Sequence, residues 1–276
     1  WYIVDYMYVK AAVYYEPRGF DISHCYLIQM GRLTDKSPDF IPNQTKEQQR
    51  EDVKGLAERL KYRPDIEAVG FGQNSYPYNG SNSGTEVRYD TLQSPGWTIR
   101  RLVSPDFVRV FQYHGTRGET PEQLAELLSH PKNFLASDNL YKKRYGRDLT
   151  PLVGKQFYLF GDTTETYTLG ASLEVVRYSD YEQAWNSYSM VKLLPENWYD
   201  VGLELCVRVK EDQDKDFISL FRKAVELILP VSEYFPVGIH GAHGRVAEGE
   251  IKIGKVIHGN ITRQLHQRKD LPVLFP

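Results

Sequence analysis

The sequence has little cysteine, little methionine and no long apolar run. Its 276 residues include 2 Cys and 3 Met, and no stretch of about 18 uncharged apolar residues occurs. The missing run excludes a transmembrane helix, so we expect a soluble chain with no membrane partner. Cys25 and Cys206 could form at most one bridge, which excludes a disulfide-stapled secreted scaffold. Two free thiols in a reducing compartment are the favoured interpretation, and they predict a cytoplasmic protein.

Neither sign of charge dominates. The 34 Lys and Arg residues and the 36 Asp and Glu residues give a formal net charge of -2. A chain that wraps nucleic-acid phosphates needs a strongly basic field, so we expect no nucleic-acid partner. One basic and aromatic cluster, Tyr141 to Tyr145 with Arg147, has the residue types that hold single-stranded nucleic acid. It stands alone in a slightly acidic protein, which favours a solvated helix end or loop.

The composition is otherwise that of an ordinary globular protein, with 41% apolar and 25% charged residues. The 13% aromatic share, including 20 Tyr, favours sheet surfaces. The length fits one large domain or two small ones. A stretch rich in Gly, Ser, Asn and Pro predicts an N-terminal α+β half over 1–73, an irregular loop over 74–96 and a C-terminal α+β half over 97–276. One continuous domain is the alternative.

Three helices are predicted from their start signals. Thr45 with Gln48, and Thr120 with Gln123, have the spacing of capping boxes, and each is followed by apolar residues on one helical face. Further along, several acidic residues precede an apolar stripe from Phe217 to Leu229, where a helix N-terminus favours negative charge.

Alternation of apolar and polar residues predicts the strands. The first is Ile3 to Tyr15, and Ile22 to Met30 is predicted as its hairpin return. The others are predicted at Glu67–Phe71, Trp97–Val103, Phe107–Tyr113, Gln156–Phe160, Ala171–Tyr178, Ser187–Leu194, Val201–Val209, Phe235–Ile239 and Ile251–Ile257.

Together these elements predict an α+β fold, with mainly antiparallel sheets and at least three helices packed on them. Residues 3–71 and 187–240 share the order strand, strand, helix, strand, which would fit two similar α+β layers. An accidental order is the alternative, because no residue-level repeat accompanies it.

Tyr113-His114-Gly115-Thr116 follows a predicted strand and leads into a helix. It resembles the start of the NAD site in ADP-ribosyltransferases that use a His-Tyr-Glu set. The resemblance implies NAD as cofactor, with His114 on the ribose, Tyr158 on the nicotinamide, and Glu174 or Glu204 stabilising an oxocarbenium-like state. A structural His at a strand end is favoured, because short motifs recur by chance. We therefore expect no catalytic residue and no cofactor, and keep this enzyme as the alternative.

Other motifs predict no chemistry. His240 and His243 lie three apart in a predicted strand and so face opposite sides, and a tight turn is favoured over a metal site. His24 and Cys25 are strand neighbours and cannot form a dyad by themselves. The three glycosylation sequons begin at Asn43, Asn79 and Asn260, and such tripeptides recur by chance.

A second resemblance rests on Gly170 to Glu174, on Asn186 to Pro195 and on the helix Phe217 to Leu229, which ends at Pro230. This order resembles the C-terminal half of immunity proteins that accompany bacterial polymorphic and type VI secreted toxins. The resemblance implies a protein partner, a cognate toxin, and neutralisation by occlusion of its active site. It implies no particular contact residue, since those residues vary in such proteins. Our main prediction is therefore a non-enzymatic, cytoplasmic, toxin-neutralising immunity protein.

Overall fold

A computed structural model describes residues 2–29, 42–43, 45–73, 76–77, 83–178, 183–199, 203–219, 237–241 and 251–253. The fold is α+β, as predicted: one open mixed sheet carries several helices. The helices are α1 (Tyr2–Tyr15), α2 (Lys46–Lys61), α3 (Phe107–Val110), α4 (Pro121–Ser129), α5 (Lys142–Tyr145) and α6 (residues 214–219), with 3-10 helices at Asp138–Tyr141, Thr150–Leu152, Ala184–Asn186 and Glu196–Trp198.

Thirteen strands lie in the described part of the chain. They are β1 (Cys25–Gln29), β2 (Ile66–Gln73), β3 (Ser83–Thr85), β4 (Val87–Tyr89), β5 (Leu92–Gln93), β6 (Thr98–Val103), β7 (Asn133–Ser137), β8 (Gln156–Leu159), β9 (Thr166–Leu173), β10 (Ser189–Leu193), β11 (Glu204–Val209), β12 (Val237–Gly241) and β13 (Ile251–Ile253).

The strand order is β13-β12-β1-β11-β2-β6-β10-β7-β9-β8-β4-β5, and β3 pairs with β6. Most neighbours are antiparallel, whereas β6 with β10 and β7 with β9 are parallel. Strand β11, from late in the chain, lies between β1 and β2 from its beginning. The predicted N-terminal and C-terminal halves therefore share one sheet.

The two capping boxes form as the sequence predicts. The Thr45 hydroxyl accepts a hydrogen bond from the backbone N–H of Gln48, and the Gln48 side chain accepts one from the Thr45 N–H. Thr120 and Gln123 do the same at the start of α4. Each box satisfies two backbone donors that the helix leaves unpaired, which fixes where the helix begins.

Helices cover both faces of the sheet. Helix α2 packs its Ala57 and Leu60 with Val69 and Phe71 of β2. On the opposite face, α3 lies so close to β2 that a Cβ at Gly70 would be 2.8 Å from the Cα of Phe107. Only glycine at position 70 allows this approach. Helix α4 packs beside α3 on the same face, and a third apolar cluster lies around β7, β8 and β9.

Three buried arginines fasten irregular segments to the sheet. Arg101 donates to the carbonyl oxygens of Tyr76 and Pro77, at 3.0 and 3.1 Å. Arg208 donates to the carbonyl oxygens of Val110, Ser23 and Asp21 and to the Asp21 carboxylate. Arg177, which is fully buried, donates to the carbonyl oxygen of Glu16 at 2.8 Å. Backbone carbonyls that regular structure leaves unpaired thereby receive charged donors.

Several predicted elements are wrong in type. Ile3–Tyr15 is helix α1, because its apolar residues are nearly continuous and short apolar runs fit either type. Phe107–Tyr113 contains α3, packed on β2. Three short strands, β3 to β5, lie within the predicted irregular range 74–96 and are too short to show a period. Since the chain opens with a helix, the shared order of two layers does not hold.

Other predictions agree or fall elsewhere. Strands β1, β2, β6, β8, β10 and β11 lie within the ranges predicted for them or extend them by at most two residues, and β9 begins five residues before its predicted start. The predicted helix Phe217–Leu229 is described only as far as residue 219, and residues 217–219 are helical in α6. Positions 79, 243 and 260 lie outside the described residues.

Candidate functional site

Helix α1 exposes its apolar side chains. Its residues from Tyr2 to Ala12 are all exposed, and Val13, which follows them, is buried. The large apolar ones are between 50 and 85% exposed, namely Tyr2, Ile3, Val4, Tyr6, Met7, Tyr8 and Val9. A contiguous apolar surface of this kind is unusual on a water-soluble domain and marks an interaction site.

The base of α1 is fixed firmly to the body. Val13 is buried, and Arg177 holds the carbonyl oxygen of Glu16. The Glu16 carboxylate accepts a 2.9 Å hydrogen bond from the backbone N–H of Ala184. The helix therefore projects from a rigid attachment at its C-terminal end.

None of the described helices is both long enough and apolar enough to span a bilayer. Helix α1 has 14 residues, which corresponds to about 21 Å at 1.5 Å per residue. The hydrocarbon core of a bilayer is about 30 Å thick.

The residues of the alternative NAD site do not all lie together. His114 and Glu174 are both exposed and adjacent, because the Glu174 N–H donates to the His114 carbonyl oxygen at 3.0 Å. Tyr158 lies elsewhere: it pairs with Thr166 in β9, whereas Gly115 bridges to Leu173. Seven residues of strand separate those two positions, or about 23 Å.

The remaining candidate acid does not complete the site either. Glu204 starts β11, which is separated from β9 by four strands. At about 4.8 Å per strand spacing this is roughly 24 Å. Tyr158 instead lies with its ring 5.3 Å from the Arg88 guanidinium carbon. The structure thus brings together His114 and Glu174 but neither Tyr158 nor Glu204.

The His-Gly-Thr segment has a structural role that explains its residues. The Thr116 N–H donates to the Ser172 carbonyl oxygen at 2.8 Å, and its hydroxyl lies 2.6 Å from that of Thr150. Asp138 Oδ1 accepts from the backbone and hydroxyl of Thr150 and from the hydroxyl of Ser172, at 2.6 to 2.9 Å. This network fixes the segment against β9.

The basic cluster is mostly engaged in local contacts. Tyr141 is fully buried and donates to the Val87 carbonyl oxygen at 3.1 Å, so its face cannot stack on a base. Lys142 pairs with Asp148 at 2.7 Å, and the Arg144 guanidinium carbon lies 5.3 Å from the centre of the Tyr145 ring. These contacts fit the solvated helix end that the sequence favoured.

Cys25 and Cys206 are both buried thiols. The Cys25 thiol donates to the Val110 carbonyl oxygen at 3.1 Å, and burial raises its pKa to about 12. The Nδ1 atom of His24 lies 2.5 Å from Oδ2 of Asp214, so the His24 ring contacts Asp214 instead of Cys25. In the described residues no group of three or more His, Cys, Asp or Glu side chains could hold a metal ion; the side chain of His240 is outside that part.

A second exposed feature crosses the α2 face of the sheet. It is a row of neighbouring cations and rings, which we call the cation–aromatic strip, and it was missed from the sequence. Its members come from β6, β9, β10 and the segments that flank them. They are Arg100, Lys132, Phe160, Tyr167, Lys192 and Trp198.

One end of the strip is centred on Arg100. Its guanidinium carbon lies 5.9 Å from the ring centres of both Phe160 and Trp198, within the range of a cation–π interaction. Arg100 Nη2 also donates to Gln73 Oε1 at 3.2 Å. Phe160 and Trp198 are 40 and 43% exposed, so the two rings remain accessible.

The other end is centred on Tyr167. The ammonium groups of Lys132 and Lys192 lie 5.1 and 4.8 Å from its ring centre, and the Phe160 ring lies edge-on to it at 6.3 Å. Glu165 accepts from both Lys132 and the Tyr167 hydroxyl. Two carboxylates, Glu165 and the nearby Asp162, therefore lie beside the three cations of the strip.

Register explains why Arg100 and Lys192 share a face. In the parallel β6–β10 pair, Met190 lies opposite Arg100 and Lys192 opposite Leu102. Residues two apart in a strand point the same way, so both cations project on the α2 side. Lys192 is 9% exposed and donates to the Pro131 carbonyl oxygen at 2.9 Å, and its burial lowers the pKa of the ammonium.

No protein-family model and no curated protein matches the chain. Two solved structures resemble it over most of its length. A domain of a protein described as a permease, from Porphyromonas gingivalis, has a TM-score of 0.44 and 14% identity, and the match covers 77% of this chain and 88% of that one. The periplasmic region of MacB from Actinobacillus actinomycetemcomitans has a TM-score of 0.42 and 11% identity, and the match covers 78% of this chain and 89% of that one.

These comparisons correct two predictions. The type VI secretion setting and the cytoplasmic location are wrong, because the similar structures are a permease domain and a periplasmic region. Binding and occlusion of a toxin is not tested by these comparisons and stays a prediction. The immunity resemblance rested on an order of elements that included Phe217–Leu229, of which only the first turn is described. An order of common elements is shared by unrelated proteins.

Proposed function

We propose that the chain is a non-enzymatic binding domain that stands on a membrane surface, with α1 in the bilayer. The observation that carries this proposal is the exposure of an almost wholly apolar helix whose base is fixed to the body. The proposal replaces our expectation of no membrane partner, which came from the lack of a long apolar run.

Transfer of α1 out of water is favourable by the ordinary hydrophobic effect. Each buried CH₂ contributes about 0.8 kcal/mol, and α1 presents eight large apolar side chains that are at least half exposed. Five of its 14 residues are Tyr, which is enriched where a protein crosses the boundary between hydrocarbon and water.

Helix α1 is suited to immersion more than to lying flat. Helices that lie in the interface have one charged face and one apolar face. The two charged residues of α1, Asp5 and Lys10, are about 140° apart at 100° per residue, so they form no common face. A helix that is apolar on all sides belongs in a core or a membrane.

The two similar structures are a domain of a protein described as a permease and the periplasmic region of MacB. We propose that this chain also stands next to a membrane. Our reason is α1 alone, since likenesses at this level concern only the fold. The binding role is supported by the cation–aromatic strip, and the distance of Tyr158 from the adjacent His114 and Glu174 does not support the ADP-ribosyltransferase alternative.

Flotation with vesicles tests the proposal. The full chain is mixed with neutral phosphatidylcholine vesicles, so that binding does not depend on lipid charge, and the floating fraction is measured. Ile3→Asp/Met7→Asp places two charges on exposed positions of α1, which leaves the folded body intact. The control is Tyr62→Asp, a tyrosine that is 84% exposed at the end of α2.

We expect the parent chain and Tyr62→Asp to float and the α1 variant to remain in solution. Failure of the parent chain to float, or equal flotation of both variants, would contradict the proposal. A dimer in sedimentation that dissociates in the α1 variant, without vesicle binding, would instead assign α1 to contact between two copies.

A further inference from the structure

We infer that the cation–aromatic strip binds an acidic segment of a partner protein, one in which carboxylates alternate with aromatic or large apolar side chains. The inference names the partner chemistry of the binding domain proposed above and rests on that proposal only for its setting. It comes from the order of groups along the strip, which runs Trp198, Arg100, Phe160, Tyr167 and then the two lysines.

Charge complementarity selects an anionic partner. Arg100, Lys132 and Lys192 supply three positive charges. Glu165, which contacts Lys132 and the Tyr167 hydroxyl, and the nearby Asp162 supply two negative charges, so the surface is positive on balance. The ammonium groups of Lys132 and Lys192 face the same ring and repel each other. A carboxylate from a partner would relieve this repulsion if it approached both ammonium groups. It would also accept a hydrogen bond from Lys192, which donates to the Pro131 carbonyl oxygen.

The rings select apolar or aromatic groups next to those carboxylates. Trp, Tyr and Arg are the residues that most often dominate protein interfaces, and here Trp198 and Arg100 are joined to Tyr167 through the Phe160 ring. The guanidinium of Arg100 lies against two rings, an arrangement that holds its flat donor edge in position. The cations are spaced along the strip, one or two to a ring, which suits separate carboxylates better than one compact phosphate group.

The backbone at Phe160 supports a role in binding. Phe160 has a φ of +63°, which is rare for a bulky residue and costs free energy. Its N–H is fixed by a 3.1 Å hydrogen bond to the Glu86 carbonyl oxygen. The strained conformation places a 40% exposed ring between Arg100 and Tyr167. Backbone strain of this kind is concentrated at binding and catalytic sites.

Fluorescence anisotropy with designed peptides tests the inference without any membrane. The probe is a fluorescein-labelled peptide of four Glu-Glu-Phe repeats, and its counterpart has Gln in place of every Glu. The variants of the strip are Arg100→Gln, Trp198→Ala and the exposed Lys132→Gln, which keeps the test informative if a change within β6 impairs folding. The matched control is Arg144→Gln, which removes a cation from the Arg144–Tyr145 pair elsewhere on the surface.

We expect the Glu peptide to bind at least tenfold more tightly than the Gln peptide. Each strip variant should weaken binding about tenfold, and Arg144→Gln should change it by less than twofold. Equal affinity for both peptides, absence of binding, or an equal loss in Arg144→Gln would overturn the inference. So would strip-dependent binding of heparin or oligo-dT in place of the Glu peptide, since that outcome assigns another class of partner. Vesicle flotation is measured separately, so failure there leaves this result unaffected.

Discussion

Arg177 Nη1 donates a 2.8 Å hydrogen bond to the carbonyl oxygen of Glu16, a residue 161 positions earlier in the chain. Arg177 is fully buried and follows β9, whereas Glu16 directly follows α1. The bond therefore joins the exposed helix to the centre of the sheet. Because a charged donor meets a neutral carbonyl, it belongs to the stronger class of hydrogen bonds.

Loss of this bond should destabilise the fold. Arg177→Met keeps an unbranched apolar chain but leaves the Glu16 carbonyl without its donor, and we expect a loss of about 2–3 kcal/mol in the free energy of unfolding. Urea denaturation measures it. Arg144→Met, at an exposed arginine, should change stability by less than about 0.5 kcal/mol. Similar losses in both variants would show that the buried bond has no special importance.

Two buried tyrosines should respond in opposite ways to removal of their hydroxyl groups. Tyr113 is fully buried, and its hydroxyl has no hydrogen-bond partner among the described groups. Tyr141 is equally buried and donates to the Val87 carbonyl oxygen. We expect Tyr113→Phe to be neutral or up to about 1 kcal/mol more stable, and Tyr141→Phe to be about 1 kcal/mol less stable. Thermal or urea unfolding of the two variants decides, and the reverse order would contradict the hydrogen-bond assignment.

If α1 enters a bilayer, its one acidic residue should weaken membrane binding. A carboxylate at the centre of a membrane helix costs about 3 kcal/mol on insertion scales. Asp5→Leu should therefore increase the fraction of chain that floats with neutral vesicles at limiting lipid. Glu126→Leu places the same apolar residue at an exposed position of α4 and should leave that fraction unchanged. An equal increase in both would indicate nonspecific adsorption.

The sequence predicted the parts of the fold that have local signals. Capping boxes at Thr45 and Thr120 are complete within four residues, so both helices begin where expected. Alternation identified β6 and β11 for the same reason. Helix α1 was predicted as a strand because residues of two kinds alternate over Ile3–Tyr15, and the type of a segment that is apolar on most sides depends on its surroundings.

The candidate site depends on contacts that are distant in sequence. The strip gathers Arg100, Tyr167 and Trp198 through the order β6-β10-β7-β9, and no spacing along the chain indicates that order. Only the abundance of aromatic residues hinted at a binding surface. The His-Gly-Thr motif was visible in the sequence, yet Thr116 makes structural contacts and Tyr158 lies about 23 Å along the sheet from the bridge at Gly115.

The contact between Asp21 and Arg208 makes the stability of the fold depend on pH. Burial alone would raise the pKa of Asp21, but hydrogen bonds from Ser23 and the Arg208 guanidinium outweigh it and lower the pKa below 3.8. Since the folded pKa is lower than the unfolded one, this carboxylate stabilises the fold above the unfolded pKa. Its contribution is lost as pH falls through the folded pKa.

We therefore expect Asp21→Asn to lower the free energy of unfolding at pH 6 and to flatten its decline below pH 4, where the parent chain loses the same interaction. Urea titrations at a series of pH values measure both slopes. Glu126→Gln, at an exposed carboxylate of α4, should keep the parent's slope. A decline in Asp21→Asn as steep as the parent's would mean that other carboxylates account for the acid sensitivity, because an amide at position 21 cannot titrate.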